Sequence, residues 1–139
     1  HCFRNPLDNI LSIYRAHFSE GNKYSSSLVD CTRVYLDQED LMTKYKNRFQ
    51  SKIYDLNYDL LVKNPKEEIN SLISWFGWKW QDSFLTPHLS PRSVSTRSNF
   101  EVRAPINSKS VGGWKNYKNM LKPAIAILTQ TQKYQDIVS

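Results

Sequence analysis

Twice in this chain an Asn-Pro pair introduces apolar residues at helical spacing, and those two pairs, Asn5-Pro6 and Asn64-Pro65, set its organisation. Asn is a good N-cap. Pro suits the first helical position, because the N–H it lacks has no intrahelical partner there. After the first pair, Ile10, Leu11, Tyr14 and Phe18 fall on one side at spacings of three and four, which predicts a helix from Pro6 to Phe18 or Ser19. Gly21-Asn22 stops it. After the second pair, Glu67 and Glu68 supply first-turn acids, Ile69, Leu72, Ile73 and Phe76 a buried stripe, and Gly77 the close.

Between these starts, residues 23–27 are polar and Ser-rich and read as a loop. A second helix is expected over 28–49, with Leu28, Cys31, Tyr35, Met42, Tyr45 and Phe49 as a broken apolar stripe. Asp37, Glu39 and Asp40 precede Lys44, Lys46 and Arg48, the order that favours helical ion pairs, so these carboxylates read as a solvated face. Residues 53–58 alternate and predict a short strand. Trp75, Trp78 and Trp80 are expected to wrap a core edge. Residues 81–113 form a long Ser-, Pro- and Thr-rich loop, longer than a compact domain keeps without a use for it. A last helix is expected from about Trp114 through Tyr117, Met120, Leu121, Ala124, Ile125 and Leu128, kinked or split by Pro123, with fraying from Gln130.

A chain of 139 residues, 40% hydrophobic and rich in aromatics, is enough for one packed domain. No apolar run approaches the ~18 residues of a membrane span. The opening His1-Cys2-Phe3 reads as the end of a strand, which suggests a piece of something longer. Cys2 and Cys31 make no disulfide framework and no zinc motif, so both are expected to be buried and reduced, in a reducing compartment, the cytoplasm. The net charge of +6 is carried by the last part of the chain. Residues 1–85 hold 11 basic and 11 acidic side chains, whereas residues 86–139 hold 8 basic against Glu101 and Asp136. Such a bias attracts phosphates, sulfates, nucleic acid or acidic peptides alike.

Arg4 stands at the opening of the first helix, where backbone N–H groups favour an anion, and Ser12 lies about 10 Å further along the axis. Together they could grip one phosphate; alone, they are also compatible with an ordinary capped helix and a surface Arg. Arg4-x-Pro6-x-Asp8-x-x-x-Ser12 resembles the 3′-phosphate motif of sulfotransferases that use PAPS (3′-phosphoadenylyl sulfate). Tyr58-Asp59-Leu60 with Asn64-Pro65 and Phe76-Gly77 is similar to that family's "Tyr-Glu-Asp-Leu … Asp-Pro … Leu-Gly" segment, with Asp59-Leu60 where Glu-Asp is usual. The stretch from Thr96 through Ser98, Val102-Arg103 and Pro105-Ile106 to Ser110-Val111-Gly112-Gly113-Trp114 and Tyr117 resembles the ending of bacterial and tyrosylprotein-type members.

The resemblance implies an α/β fold: the C-terminal, mostly helical part of a P-loop-NTPase-like sulfotransferase domain, with one or two short strands, spanning residues 1–139. It implies donor contacts from Arg4 and Ser12 (3′-phosphate), Tyr58 (adenine) and Ser98 (phosphate). The family's basic residue before the Trp is Gly113 here, leaving Lys109 or Lys115 to supply the charge. The family's phosphosulfate loop and catalytic base lie in its N-terminal half, and no GxxxxGK[ST] loop occurs here. No catalytic residue is therefore assigned, and these 139 residues alone are expected to be inactive. The expected co-substrate is PAPS or adenosine 3′,5′-bisphosphate, without a metal. The expected partners are the N-terminal half of the domain and an unidentified acceptor, with no membrane span and no nucleic acid. The alternative is a basic, aromatic-rich binding module for single-stranded nucleic acid or an acidic protein.

Overall fold

The computed structural model describes residues 1–16, 21–91 and 101–138. In chain order its regular elements are β1 (Cys2–Phe3), α1 (Pro6–Arg15), α2 (Leu28–Phe49), β2 (Leu56–Asn57), α3 (Tyr58–Lys63), α4 (Pro65–Trp75) and α5 (Lys122–Leu128), joined by short 3-10 turns. The described chain is mostly helical with two short parallel strands, compatible with the α/β class. It divides into two compact units, one of His1–Phe3 with Tyr54–Lys109 and the other of Arg4–Ile53 with Ser110–Ser139.

In the first unit, β1 and β2 pair in parallel, with Cys2 opposite Leu56 and Phe3 opposite Asn57. The strand expected over 53–58 is confined to Leu56–Asn57. Asn57 ends it, because its side chain accepts from the amides of Asp59 (2.9 Å) and Leu60 (3.2 Å) and so starts α3 at Tyr58. Helix α4 starts at Pro65, although the Asn64 side chain makes no cap bond. It ends at Gly77, where φ is +70°. There the Gly77 amide donates to the Ser74 carbonyl (2.9 Å) and the Trp78 amide to the Ile73 carbonyl (3.0 Å), a Schellman close that a left-handed Gly permits.

Of the expected α4 stripe, Ile73 is buried and Phe76 is 47% exposed. Of the three tryptophans, Trp80 is half-buried, whereas Trp75 and Trp78 do not wrap a core edge. Trp75 meets Phe76 edge-on and Phe76 stacks on Trp78 at the surface, with ring centroids 4.9 and 4.7 Å apart, because the Schellman turn carries residues 76–78 off the end of α4. Within the long loop, 3-10 turns cover Asp82–Leu85, Pro87–Leu89 and Glu101–Arg103, and Arg103 Nη1 donates to the Ser90 carbonyl at 3.0 Å.

The second unit holds a larger core. Leu7 and Ile10 of α1 are fully buried against Cys31 and Tyr35 of α2, with Leu121, Ala124, Leu128, Trp114 and Tyr134 completing the cluster. Asn5 caps α1 as expected, accepting from Leu7 and Asp8 amides at 2.9 and 3.3 Å. The described part of that helix ends at Arg15; residues 17–20, where a longer helix was expected to stop, lie outside the described residues. The segment expected as a loop over 23–27 is largely a 3-10 turn, Lys23–Ser26, with Ser25 buried and its hydroxyl donating to the Asn22 carbonyl.

Helix α2 has the expected bounds, and Ser27 caps it at the Asp30 amide. Only the first half of its apolar stripe is buried. Cys31 and Tyr35 are inside, whereas Tyr45 and Phe49 are exposed. Cys31 donates to the Tyr24 carbonyl, and burial pushes its thiol pKa up, as suits an unreactive reduced cysteine. Cys2 is exposed, so only one of the two thiols is buried as expected.

Pro123 splits the last helix. A 3-10 turn at Gly113–Tyr117 precedes α5, which carries Pro123 in its first turn, where a missing N–H costs nothing. The end of the chain is pinned where fraying was expected. Tyr134 is 8% exposed; its hydroxyl donates to Glu39 Oε2 (2.9 Å) and lies 3.3 Å from the Tyr35 hydroxyl. The Lys133 ammonium meets the same carboxylate. Glu39 therefore ties α2 to the chain end, while Asp40 does pair with Lys44 at 2.6 Å as expected.

Tyr134→Phe removes the bond to Glu39 and should cost about 1–1.5 kcal/mol in a denaturant titration. Burial, with the bond to the Glu39 carboxylate, raises the Tyr134 hydroxyl pKa to about 12. The unfolded tyrosine ionises near 10, so stability present below about pH 10 is lost as pH rises towards 12. Tyr134→Phe should flatten part of that alkaline decline; an unchanged decline would place its origin elsewhere.

Candidate functional site

The residue that organises the second unit's polar surface is Asp8. It is the third residue of α1 and is 4% exposed. Its Oδ2 accepts from the Gly112 amide at 2.7 Å and its Oδ1 from the Trp114 amide at 2.8 Å. One carboxylate thus bolts the turn at 112–114 onto the start of a helix more than a hundred residues earlier. Gly112 can make that turn because it adopts φ +74°. Trp114, 6% exposed, then drops into the core beside Leu7 and Leu121.

Arg4 completes the arrangement. Its Nη2 donates to the Ser110 carbonyl at 2.7 Å and lies 3.7 Å from Asp8 Oδ2. The guanidinium and both carboxylate oxygens therefore hold residues 110–114 from one side. Ser12 follows Asp8 by four positions, one turn further along α1, and is exposed; Arg4 precedes the helix and its Asn5 cap. Lys115 is exposed and directly follows the bolted turn, its amide donating to the Gly112 carbonyl at 3.1 Å. Within this unit, the stretch from Arg4 to Ser12 and the stretch from Ser110 to Lys115 are one assembly.

The amides at the α1 N-terminus are not the anion site expected of them. Leu7 and Asp8 give theirs to Asn5 Oδ1, and Asn9 gives its own to the Asn5 carbonyl. An anion here is offered side chains instead: a guanidinium, a hydroxyl and an ammonium.

The other expected residues belong to the first unit or lie outside the described residues. Tyr58 is the first residue of α3 in the first unit, half-buried. Lys109 belongs to the same unit, is exposed, and its amide donates to Asn107 Oδ1 at 3.2 Å. Ser98 lies outside the described residues. Sequence reasoning missed Asp8, although it is part of the quoted motif. An acid at the third position of a helix looks like an ordinary first-turn charge.

Gly113 has room for a side chain. A Cβ there would meet only Asp8 Oδ1, at 3.7 Å, an ordinary contact. Among the described residues, no cluster of His, Cys, Asp and Glu could hold a metal ion, and no helix is long and apolar enough to cross a membrane.

Comparison with known proteins gives two findings. A family model described as "Sulfotransferase family" matches residues 1–82. A protein of Aquifex aeolicus (strain VF5), described as an uncharacterized protein, is 30% identical over 150 residues, which cover 99% of this chain. The chain spans only 20% of that relative's length. The family match takes in more than half of the chain, including Arg4, Asp8, Ser12 and Tyr58, and this chain belongs to the sulfotransferase family.

Proposed function

We propose that this chain forms the nucleotide-holding part of a PAPS-dependent sulfotransferase domain, with the second unit gripping the 3′-phosphate of the donor. The observation that carries the reading is the pair of hydrogen bonds that the Asp8 carboxylate accepts from the Gly112 and Trp114 amides. It joins the two stretches, 4–12 and 110–115, that resemble the family's phosphate-binding segments.

PAPS, when bound, supplies a sulfuryl group for in-line transfer to an acceptor hydroxyl or amine. The work of this chain's residues is to hold and orient. Arg4 presents a planar guanidinium fork, held in place by its bond to the Ser110 carbonyl. Asp8 fixes the direction of that fork from 3.7 Å away. The Ser12 hydroxyl donates from α1, one turn beyond Asp8, and Lys115 adds charge from the bolted turn. The family resemblance would add Tyr58 at the adenine, with Lys109 and Ser98 at the donor phosphates. Fixed cations around a phosphate orient the donor for transfer.

Gly113→Arg tests whether the bolted turn faces the phosphate. The site accepts a Cβ without a clash. An Arg there should tighten binding of adenosine 3′,5′-bisphosphate about tenfold, the worth of one charge-assisted hydrogen bond, with little change for adenosine 5′-monophosphate. Equal affinity for the wild-type chain and the variant, measured by calorimetry, would count against the placement.

A further inference from the structure

Within the second unit, three ammonium groups follow the bolted turn along one edge. Lys115 lies in the 3-10 turn Gly113–Tyr117, and Lys118 comes three residues later, on the same edge at that turn's repeat. Lys122 opens α5 one helical turn further on, and the Leu121 amide carries the chain there by donating to the Tyr117 carbonyl at 3.0 Å. All three lysines are exposed. Among the described residues, no carboxylate pairs with any of them. Elsewhere in the same unit Arg33 meets Asp30 at 3.6 Å, Lys44 meets Asp40 at 2.6 Å, and Lys133 meets Glu39.

The stretch from Ala104 to Gln135 contains no acidic side chain. Like charges three and four residues apart on a helical edge repel, and the first position of a helix disfavours a cation. Repulsion of this kind weakens the local fold, so stability does not account for the row. The row begins at the turn that Arg4 and Asp8 hold, and it runs on the order of 10 Å beyond it.

We infer that Lys118 and Lys122 extend the positive field of Lys115 into a track that captures the polyanionic nucleotide and steers it to Arg4 and Ser12. They do not hold it once it is bound. The inference rests on the donor site proposed above. Each phosphate of adenosine 3′,5′-bisphosphate carries about −1.5 to −2 at neutral pH. Fixed cations attract such a ligand over about one Debye length, roughly 30 Å at 0.01 M salt and 10 Å at 0.1 M. They raise the association rate without adding a bond to the complex. Adenosine 5′-monophosphate carries one phosphate and gains less.

Stopped-flow kinetics with adenosine 3′,5′-bisphosphate test the track. At about 0.01 M salt, Lys118→Glu with Lys122→Glu should slow association about tenfold and leave dissociation within about twofold. The milder Lys118→Gln with Lys122→Gln should slow it about threefold. At about 1 M salt both differences should fall below about twofold, because screening then acts within roughly 3 Å. For adenosine 5′-monophosphate the Glu variant should slow association only about threefold. Lys44→Glu with Arg48→Glu makes the same change of net charge on the exposed second half of α2, and should alter association less than about twofold. Arg4→Ala should act chiefly on dissociation, which separates grip from capture. Unchanged association in the Lys118 and Lys122 variants overturns the track and leaves the donor site standing. Faster dissociation with unchanged association overturns it too, since the two lysines would then be contacts. Equal slowing by the α2 variant replaces the track with net charge alone. A wild-type chain that does not bind the bisphosphate overturns the donor site and the track together.

Discussion

Asp8→Ala should lower the unfolding midpoint by about 10 °C. The carboxylate accepts from two backbone amides, at 2.7 and 2.8 Å, and the Trp114 amide is buried. Charge-assisted bonds of this kind contribute about 1.5–3 kcal/mol each, and a buried amide left without a partner adds its own desolvation cost. A total near 3 kcal/mol is the low end of that sum. A chain of this length loses about 3–4 °C of midpoint per kcal/mol. The loss should be local in origin: residues 110–114 detach from α1, and Trp114 leaves the core with them. Asp8→Asn keeps one carbonyl acceptor but turns an NH2 towards the second amide, so it should fall roughly midway. Asp136→Ala, at an exposed position of the same unit, should stay within about 0.5 kcal/mol of wild type. A midpoint shift for Asp8→Ala no larger than that of Asp136→Ala would mean that the turn holds itself.

The second large effect concerns binding. Arg4→Ala should weaken adenosine 3′,5′-bisphosphate about 50-fold or more, the worth of a bidentate guanidinium–phosphate contact of roughly 2–3 kcal/mol. Adenosine 5′-monophosphate lacks the 3′-phosphate and should be affected little. Arg4 also bonds the Ser110 carbonyl, so a modest loss of stability, about 1 kcal/mol, is expected alongside. Arg4→Lys separates the two roles. It keeps a charge near the phosphate but loses the planar fork, and should bind between wild type and Arg4→Ala. If both nucleotides weakened equally in Arg4→Ala, the residue would be acting through the fold alone.

Local chemistry was legible in the sequence wherever one stretch of chain decides the outcome. Asn5 with Pro6, Pro65, and the left-handed Gly77 each act within four or five residues, and helices begin or end there. Pro123 splits the last helix for the same reason. What escaped was tertiary. The Asp8 carboxylate looks like a first-turn charge until the Gly112–Trp114 turn is beside it. Glu39 looks like one more acid of a solvated face until Tyr134 and Lys133 arrive from the chain end. Periodicity also counts apolar residues without saying what covers them. It marked Tyr45, Phe49 and Phe76 as core, and all three are exposed. The anion reading of the α1 N-terminus failed for a related reason. A strong cap such as Asn5 satisfies the very amides that would otherwise attract a phosphate.

In the candidate site, the sequence supplied the residue types but not the connection between them. Ser12 is placed by α1, whereas Arg4 precedes that helix and its Asn5 cap and is placed by its bond to the Ser110 carbonyl. Residues 110–115 join them through hydrogen bonds that span more than a hundred residues, which no local pattern reveals. Family resemblance pairs those two stretches, and Asp8 is the physical link between them.

The most direct measurement is calorimetric titration of the chain with adenosine 3′,5′-bisphosphate and with adenosine 5′-monophosphate, for wild type, Arg4→Ala and Ser12→Ala. A site built on Arg4 and Ser12 predicts a clear preference for the bisphosphate in wild type, lost in Arg4→Ala and reduced in Ser12→Ala. Equal affinities in all three chains, falling steeply with salt, would instead describe a diffuse basic surface and contradict the account.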